Sequence, residues 1–251
     1  MVIMERGYWI KQDEDNLAGT LHLPENKERP QLVILCHGFT GHKNCYGEFV
    51  EISRDLCEEG FAVYRFDFRG SGESTREFQE QTHTTMLEDL ETVVSEFEDS
   101  NEISNEIFLI GHSQGGFIAK LFAAKDNDRI EGLISWMGRA YNIDDWWADR
   151  YCNEIRKRGF IYANGEKITE EYYQDSKKYS IEEAFENIQI PTLLIYGTHD
   201  YKVPLDEGER ANEKIENSRL ESIEGLTHHF NQTEELFDQT LEFLKENSRK
   251  E

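Results

Sequence analysis

The stretch Ile110-Gly111-His112-Ser113-Gln114-Gly115-Gly116 decides how the chain is read. It carries the pattern Gly-x-Ser-x-Gly. An apolar run, Glu106-Ile-Phe-Leu-Ile110, enters it, and an amphipathic run, Phe117-Ile-Ala-Lys-Leu-Phe-Ala-Ala124, leaves it. That succession predicts strand, sharp turn and helix, the setting in which the motif presents a nucleophilic serine. A side chain at Gly111 or Gly115 would strike the adjoining strand or helix. The helix beginning after Ser113 points its unpaired N–H groups at the reacting oxygen.

Working outward, the chain alternates strand and helix. Residues 7–12 and 17–23 predict an antiparallel hairpin at a sheet edge. Leu32–Cys36, Phe61–Phe66, the run into Ile110, Ile130–Trp136 and Pro191–Gly197 read as strands buried on both faces. Helices are predicted over 46–59, 82–98, 205–216 and 233–246, with a strand at 220–223. The order implies a mostly parallel sheet with helices on both faces, and active groups on loops at the carboxyl ends of its strands. Residues 138–187 break the rhythm with a polar, aromatic insertion, in which residues 159–168 predict a hairpin turning at Asn164-Gly165. The division is therefore a core of residues 1–137 and 188–251 and a cap of 138–187. With no apolar core of its own expected, the cap needs aromatic anchors, for which Trp146 and Trp147 are candidates.

A serine needs a base, and the base an orienting acid. Asp200 lies just past the strand at 191–197, and His228-His229 just past the strand at 220–223. The order Ser113, Asp200, His228 fits a triad. His228 and His229 compete, and only one can enter the site easily. Oxyanion donors are expected from the backbone N–H of Gln114, at the helix start, and of Phe39, in the loop after Cys36. His37 and His112 read as structural hydrogen-bonding residues.

Composition narrows the partners. The 251 residues, 37% hydrophobic, suffice for one α/β core plus an insertion. The net charge of −24 argues against nucleic acid and anionic membrane surfaces. It reads either as a solvated acidic surface or as adaptation to high intracellular salt. Cys36, Cys45, Cys57 and Cys152 form no Cys-x-x-Cys pair, which points to reduced thiols in a cytoplasmic protein. No apolar stretch approaches a membrane span.

Five motifs together resemble the α/β-hydrolase superfamily over nearly the whole chain. They are His37-Gly38-Phe39, Asp67-x-Arg69-Gly70-x-Gly72-x-Ser74, Gly111-x-Ser113-x-Gly115, Gly197-x-x-Asp200-x-x-Val203-Pro204 and Gly225-x-x-His228-x-Phe230. The runs His37–Lys43 and Gly111–Gly116 are similar to those of the cinnamoyl/feruloyl esterase and monoacylglycerol lipase-like branch. The resemblance favours His228 over His229 and implies a cap over an acyl pocket. Trp146, Trp147 and Tyr151 are candidates to line it, and Asp144 or Asp145 to bind a substrate hydroxyl. The expected activity is hydrolysis of a small carboxylic ester, of short to medium acyl or aryl type, through an acyl-enzyme and without metal or cofactor. An amidase or peptidase of the same fold, and a binding protein that has lost turnover, are the alternatives. The acyl and alcohol moieties and the oligomeric state stay open at this stage.

Overall fold

The computed structural model describes residues 3–25, 27–142 and 152–248. Ten strands and eight α-helices follow in chain order among them. The strands are β1 (Ile3–Gln12), β2 (Asp15–Pro24), β3 (Leu32–Cys36), β4 (Ala62–Phe66), β5 (Ile107–His112), β6 (Gly132–Trp136), β7 (Phe160–Ala163), β8 (Glu166–Thr169), β9 (Thr192–Gly197) and β10 (Ser218–Ile223). The helices are α1 (Glu48–Glu58), α2 (His83–Glu98), α3 (Gln114–Lys125), α4 (Cys152–Arg158), α5 (Glu170–Ser176), α6 (Ile181–Asn187), α7 (Leu205–Lys214) and α8 (Thr233–Asn247).

Eight strands form one sheet in the order β1-β2-β4-β3-β5-β6-β9-β10. β1 and β2 pair antiparallel as a hairpin, β2 joins β4 antiparallel, and every later pairing is parallel. All residues of β3, β4, β5, β6 and β9 are buried, so both faces of the central sheet are covered. The chain leaves β3 outward to β4, then returns past β3 to β5. Strand order reverses there, and a crevice opens between the carboxyl ends of β3 and β5. The loop after β3 and the turn after β5 are brought together in that crevice.

The helix α3 departs from expectation. Its run was read as amphipathic, yet every residue from Gln114 to Ala123 is buried, Lys120 included. Packing against β5, β6, α2 and α6 encloses it on all sides. Lys120 survives there because its Nζ donates to the carbonyls of Gly138 (2.9 Å) and Arg139 (3.0 Å).

The insertion also differs from expectation. β7 and β8 form the predicted hairpin, with Asn164 (φ 51°) and Gly165 (φ 88°) in the left-handed conformations its tight turn requires. The cap does have an apolar cluster of its own. Ile155, Ile161, Ile168, Tyr172 and Tyr173 pack together and against Phe78, with Phe39 and Ala163 at the margin. Those core-side rings, Phe39 and Phe78, are the anchors the described residues show. Ile181, Ala184 and Phe185 of α6, by contrast, join the main core. Asp144, Asp145, Trp146, Trp147 and Tyr151 lie outside the described residues. Among the described residues, no helix is long and apolar enough to cross a membrane.

A Cβ added at Gly115 would lie 2.1 Å from the Cys36 carbonyl oxygen, and one at Gly111 would lie 2.5 Å from that of Gly115. Both obstacles are backbone and cannot swing away. Gly115→Ala should therefore destabilise by about 3 kcal/mol or more. Gly7→Ala, with nothing within 4 Å of the new methyl, should be neutral or gain a few tenths of a kcal/mol. Urea midpoints of the two variants test the contrast; equal midpoints would refute it.

Candidate active site

Ser113 sits between β5 and α3 with φ 54° and ψ −116°, a strained setting for a residue with a side chain. Its N–H donates to the Trp136 carbonyl (3.0 Å), and its carbonyl accepts from the N–H groups of Phe117 (3.2 Å) and Arg139 (3.1 Å). Backbone from three elements thus holds the strained turn. Thr40, Met137, Asn164 and Phe230 also have positive φ, and all lie on loops around this serine or at the cap turn facing it. Asp13, Arg29 and Arg76 share this conformation away from the cavity.

The structure brings Ser113, His228 and Asp200 into one hydrogen-bonded line. Ser113 Oγ stands 3.0 Å from His228 Nε2, and His228 Nδ1 stands 2.6 Å from Asp200 Oδ2. The other Asp200 oxygen accepts from the N–H groups of Lys202 (2.8 Å) and Val203 (3.0 Å), which fixes the carboxylate plane. Asp200 is only 3% exposed and His228 9%. Because Asp200 presents a carboxylate to Nδ1, that nitrogen carries the proton and Nε2 turns its lone pair to the serine. His229 is exposed and reaches Lys202 Nζ instead (3.2 Å). Its pKa is lowered by burial and by the neighbouring Lys202 charge.

The loop after β3 is fastened to the one after β4. His37 Nε2 accepts from the Phe68 N–H (3.2 Å), and its Nδ1 faces the Gly38 carbonyl (2.8 Å). Asp67 accepts from the Lys43 N–H (2.5 Å), the Lys43 ammonium (2.7 Å) and the Glu73 N–H (2.9 Å). A Cβ at Gly72 would lie 2.2 Å from the Asp67 carboxylate, so glycine there makes this bracket possible. Gly38 consequently passes so near the elbow that a Cβ on it would lie 3.1 Å from that of Ser113. His112 has the structural role expected: Nε2 donates to the His228 carbonyl (3.2 Å), and Phe230 packs on its ring at 4.5 Å. Burial holds its pKa far below the ordinary value.

A cavity of about 380 Å³ opens over Ser113, lined in part by Phe39, Gln114, Arg139, Tyr172, Glu207 and His228. Phe39 packs on Phe78 and Tyr172, each at 5.5 Å, so its ring forms part of the wall toward the cap. Sequence reasoning missed Arg139, Tyr172 and Glu207. The signal for Arg139 was available: it stands three residues past the end of β6, a carboxyl end like the others searched.

Gln114 is locked by its neighbours. Arg139 Nη1 lies 2.9 Å from Gln114 Oε1, and Gln114 Nε2 lies 2.9 Å from His83 Nε2. A guanidinium can only donate, so the amide oxygen must face Arg139 and the amide nitrogen must face His83. His83 Nε2 is therefore an unprotonated acceptor. The same conclusion follows from burial, which pushes the His83 pKa down to about 3.

The geometry so described has counterparts. A family model described as "Serine aminopeptidase, S33" matches residues 27–146. The computed fold aligns over 96% of this chain and 98% of the other with the solved structure "Ferulic Acid bound to Est1E from Butyrivibrio proteoclasticus", at 26% identity and TM-score 0.84. The chain has the α/β-hydrolase fold. The monoacylglycerol lipase of Paleococcus ferrophilus shares the fold at TM-score 0.69 and 21% identity, over 94% of this chain and all of that one. An uncharacterized 31.7 kDa protein of the traX-finO intergenic region of Escherichia coli is 33% identical over 153 residues, 59% of this chain and 50% of the other. The chain spans about half the length of these first curated relatives.

The His83 arrangement makes a pH prediction for this protein. Its folded pKa lies below the free value of 6.5. The stability from neutral His83 is therefore complete above pH 6.5 and is lost as pH falls toward 3, at up to about 1.4 kcal/mol per pH unit. His83→Gln keeps an acceptor but does not titrate. In urea unfolding, the wild type should lose stability relative to this variant between pH 6.5 and 4. A pH-independent difference would overturn the assignment.

Proposed function

We propose that the protein is a serine hydrolase of carboxylic esters. The observation that carries the reading is the continuous line from Ser113 Oγ through His228 to Asp200, at 3.0 and 2.6 Å. In this scheme the serine oxygen attacks the ester carbonyl as His228 Nε2 takes its proton. Asp200 steadies the imidazolium that results. The backbone N–H groups of Phe39 and Gln114 receive the oxyanion, each worth about 2.7–4 kcal/mol to the transition state. Collapse expels the alcohol, which takes the proton from His228. Water then adds to the acyl carbonyl as His228 Nε2 takes its proton, and collapse breaks the bond to Ser113 Oγ, which takes that proton back as the acid leaves. No step calls for a metal or organic cofactor.

The cavity walls, with Phe39 and Tyr172 presenting rings beside Ser113, suit a medium acyl or aryl group. The likeness to Est1E with ferulic acid bound supports an aryl acyl group; Trp146, Trp147, Tyr151 and Asp144, outside the described residues, are kept as proposed substrate-binding residues on the sequence alone. The family description favours a second reading, release of an N-terminal residue from an amide. The same triad would serve it, and aminoacyl anilides assayed beside p-nitrophenyl and feruloyl esters separate the two.

A fluorophosphonate probe should label the wild type and not Ser113→Ala. Turnover of p-nitrophenyl butyrate should fall by about 10⁴-fold or more in Ser113→Ala and His228→Ala. His229→Ala should stay within about tenfold of wild type, because its ring faces Lys202. Labelling of Ser113→Ala, or a larger loss in His229→Ala than in His228→Ala, would refute the assignment.

A further inference from the structure

The cavity over Ser113 carries a charge that the proposed chemistry does not use. Arg139 enters from the loop after β6 and lines the cavity beside Ser113 and Gln114. Its five N–H donors meet two acceptors among the described residues, Gln114 Oε1 (2.9 Å) and the Tyr141 carbonyl (3.2 Å). Both are neutral. The face of the guanidinium lies 5.4 Å from the Phe117 ring centre, which supplies no counter-charge beyond its π cloud.

Two other charged groups sit close by. Lys120 is wholly buried on α3, its ammonium held by the Gly138 and Arg139 carbonyls. Glu207 is buried in the first turn of α7, one oxygen accepting from the Ala140 N–H (2.6 Å). None of the three forms an ion pair within 4.0 Å among the described residues. Glu207 acts through space on both Arg139 and Lys120, and burial draws the Lys120 pKa down to about 7. Burial likewise draws the Arg139 pKa down, although a guanidinium stays charged. In a chain of net charge −24, a guanidinium in the cavity beside Ser113 with no carboxylate of the described residues within 4.0 Å calls for an explanation.

We infer that Arg139 is a receptor for a carboxylate carried by the substrate, so that the preferred ester has a free acid group. The inference rests on the hydrolase reading and names its substrate class. Gln114 holds Nη1 and the Tyr141 carbonyl holds Nη2, which leaves Nε–H and further terminal N–H groups for a planar carboxylate, the partner its fork suits. An incoming carboxylate would give the guanidinium an anion in direct contact, which Glu207, beyond 4.0 Å, does not. A neutral ester of the same size would leave the cation as it is.

The first test compares substrates on the wild type. The mono-p-nitrophenyl ester of adipic acid carries its carboxylate on the acyl side, and p-nitrophenyl hexanoate is its neutral counterpart. 4-Carboxyphenyl hexanoate against phenyl hexanoate, each corrected for its spontaneous hydrolysis, places the charge on the alcohol side. In at least one pair the charged ester should be favoured about tenfold or more in kcat/KM. Arg139→Gln should collapse that ratio to within about threefold of unity, and Arg139→Lys should retain part of it. The p-nitrophenyl ester of 6-aminohexanoate, an ammonium at the same reach, should be the poorest acyl-side substrate.

Binding to Ser113→Ala separates this inference from the hydrolase reading. By calorimetry, monomethyl adipate should bind about tenfold or more tightly than dimethyl adipate. Equal binding, equal kcat/KM within both ester pairs, or preference for the ammonium ester would overturn the carboxylate receptor. Charge-selective binding without turnover of any ester would uphold it while removing the hydrolase reading.

Discussion

The structure depends on how closely one helix end can approach two parallel strands. Gly115 of α3 lies against the Cys36 and His37 carbonyls, and Gly116 lies against Gly138 across the next loop. Only residues without a Cβ permit this approach. Because α3 comes so near, the chain between β5 and α3 has no room for an ordinary turn. Ser113 takes a left-handed conformation, with its side chain beside His228 and the cavity. The strain there is offset by backbone hydrogen bonds from the elbow to Trp136, Phe117 and Arg139. A site held by backbone rather than by mobile side chains suits a reaction that requires fixed donors.

The same crowding explains why so much charge is buried nearby. Three loops end within reach of α3, and their carbonyls and N–H groups lose water as they meet. Lys120 satisfies two of those carbonyls, and Glu207 satisfies one N–H. Asp67 does the same for the loop that brings Phe39 to the serine. These groups are costly to bury, and each is kept because the backbone it serves has nowhere else to turn. The Tyr196 hydroxyl, also directed at the Gly138 carbonyl, belongs to this set.

Much of this was legible in the sequence, for identifiable reasons. Ser113 and Asp200 each follow an apolar run that only a buried strand explains, and His228 follows the half-exposed edge strand β10, so their common placement at one sheet end could be derived. The Asn164-Gly165 turn was legible because two consecutive left-handed residues leave few alternatives. Spacing alone did not separate His228 from His229; the deciding feature is that His228 is the ring next to Asp200, a tertiary fact. Lys120 misled because periodicity registers a lysine as a solvated face, and nothing local announces that α2 and α6 will cover it. The contacts that His83 and Arg139 make with Gln114 were invisible for a related reason. Their partners are 31 and 25 residues away in the chain, and hydrogen bonds between side chains so far apart leave no periodic trace.

Gln114 ties the readable and unreadable parts together. Its backbone stands where the helix start must offer an N–H, which the motif dictates. Its side chain is oriented by a cation on one side and a neutral imidazole on the other, which the motif does not dictate. Protonation of His83 would remove the acceptor that holds the amide nitrogen, and with it one restraint on the guanidinium that shares the amide oxygen. The residue that begins the helix is thus also the residue through which the cavity wall is ordered. A ligand reaching past Ser113 in this cavity would meet Arg139, Gln114 and Tyr172. Sites of this kind divide the work: strand ends fix the reaction, and the loop after β6 with the cap fixes what can be brought to it.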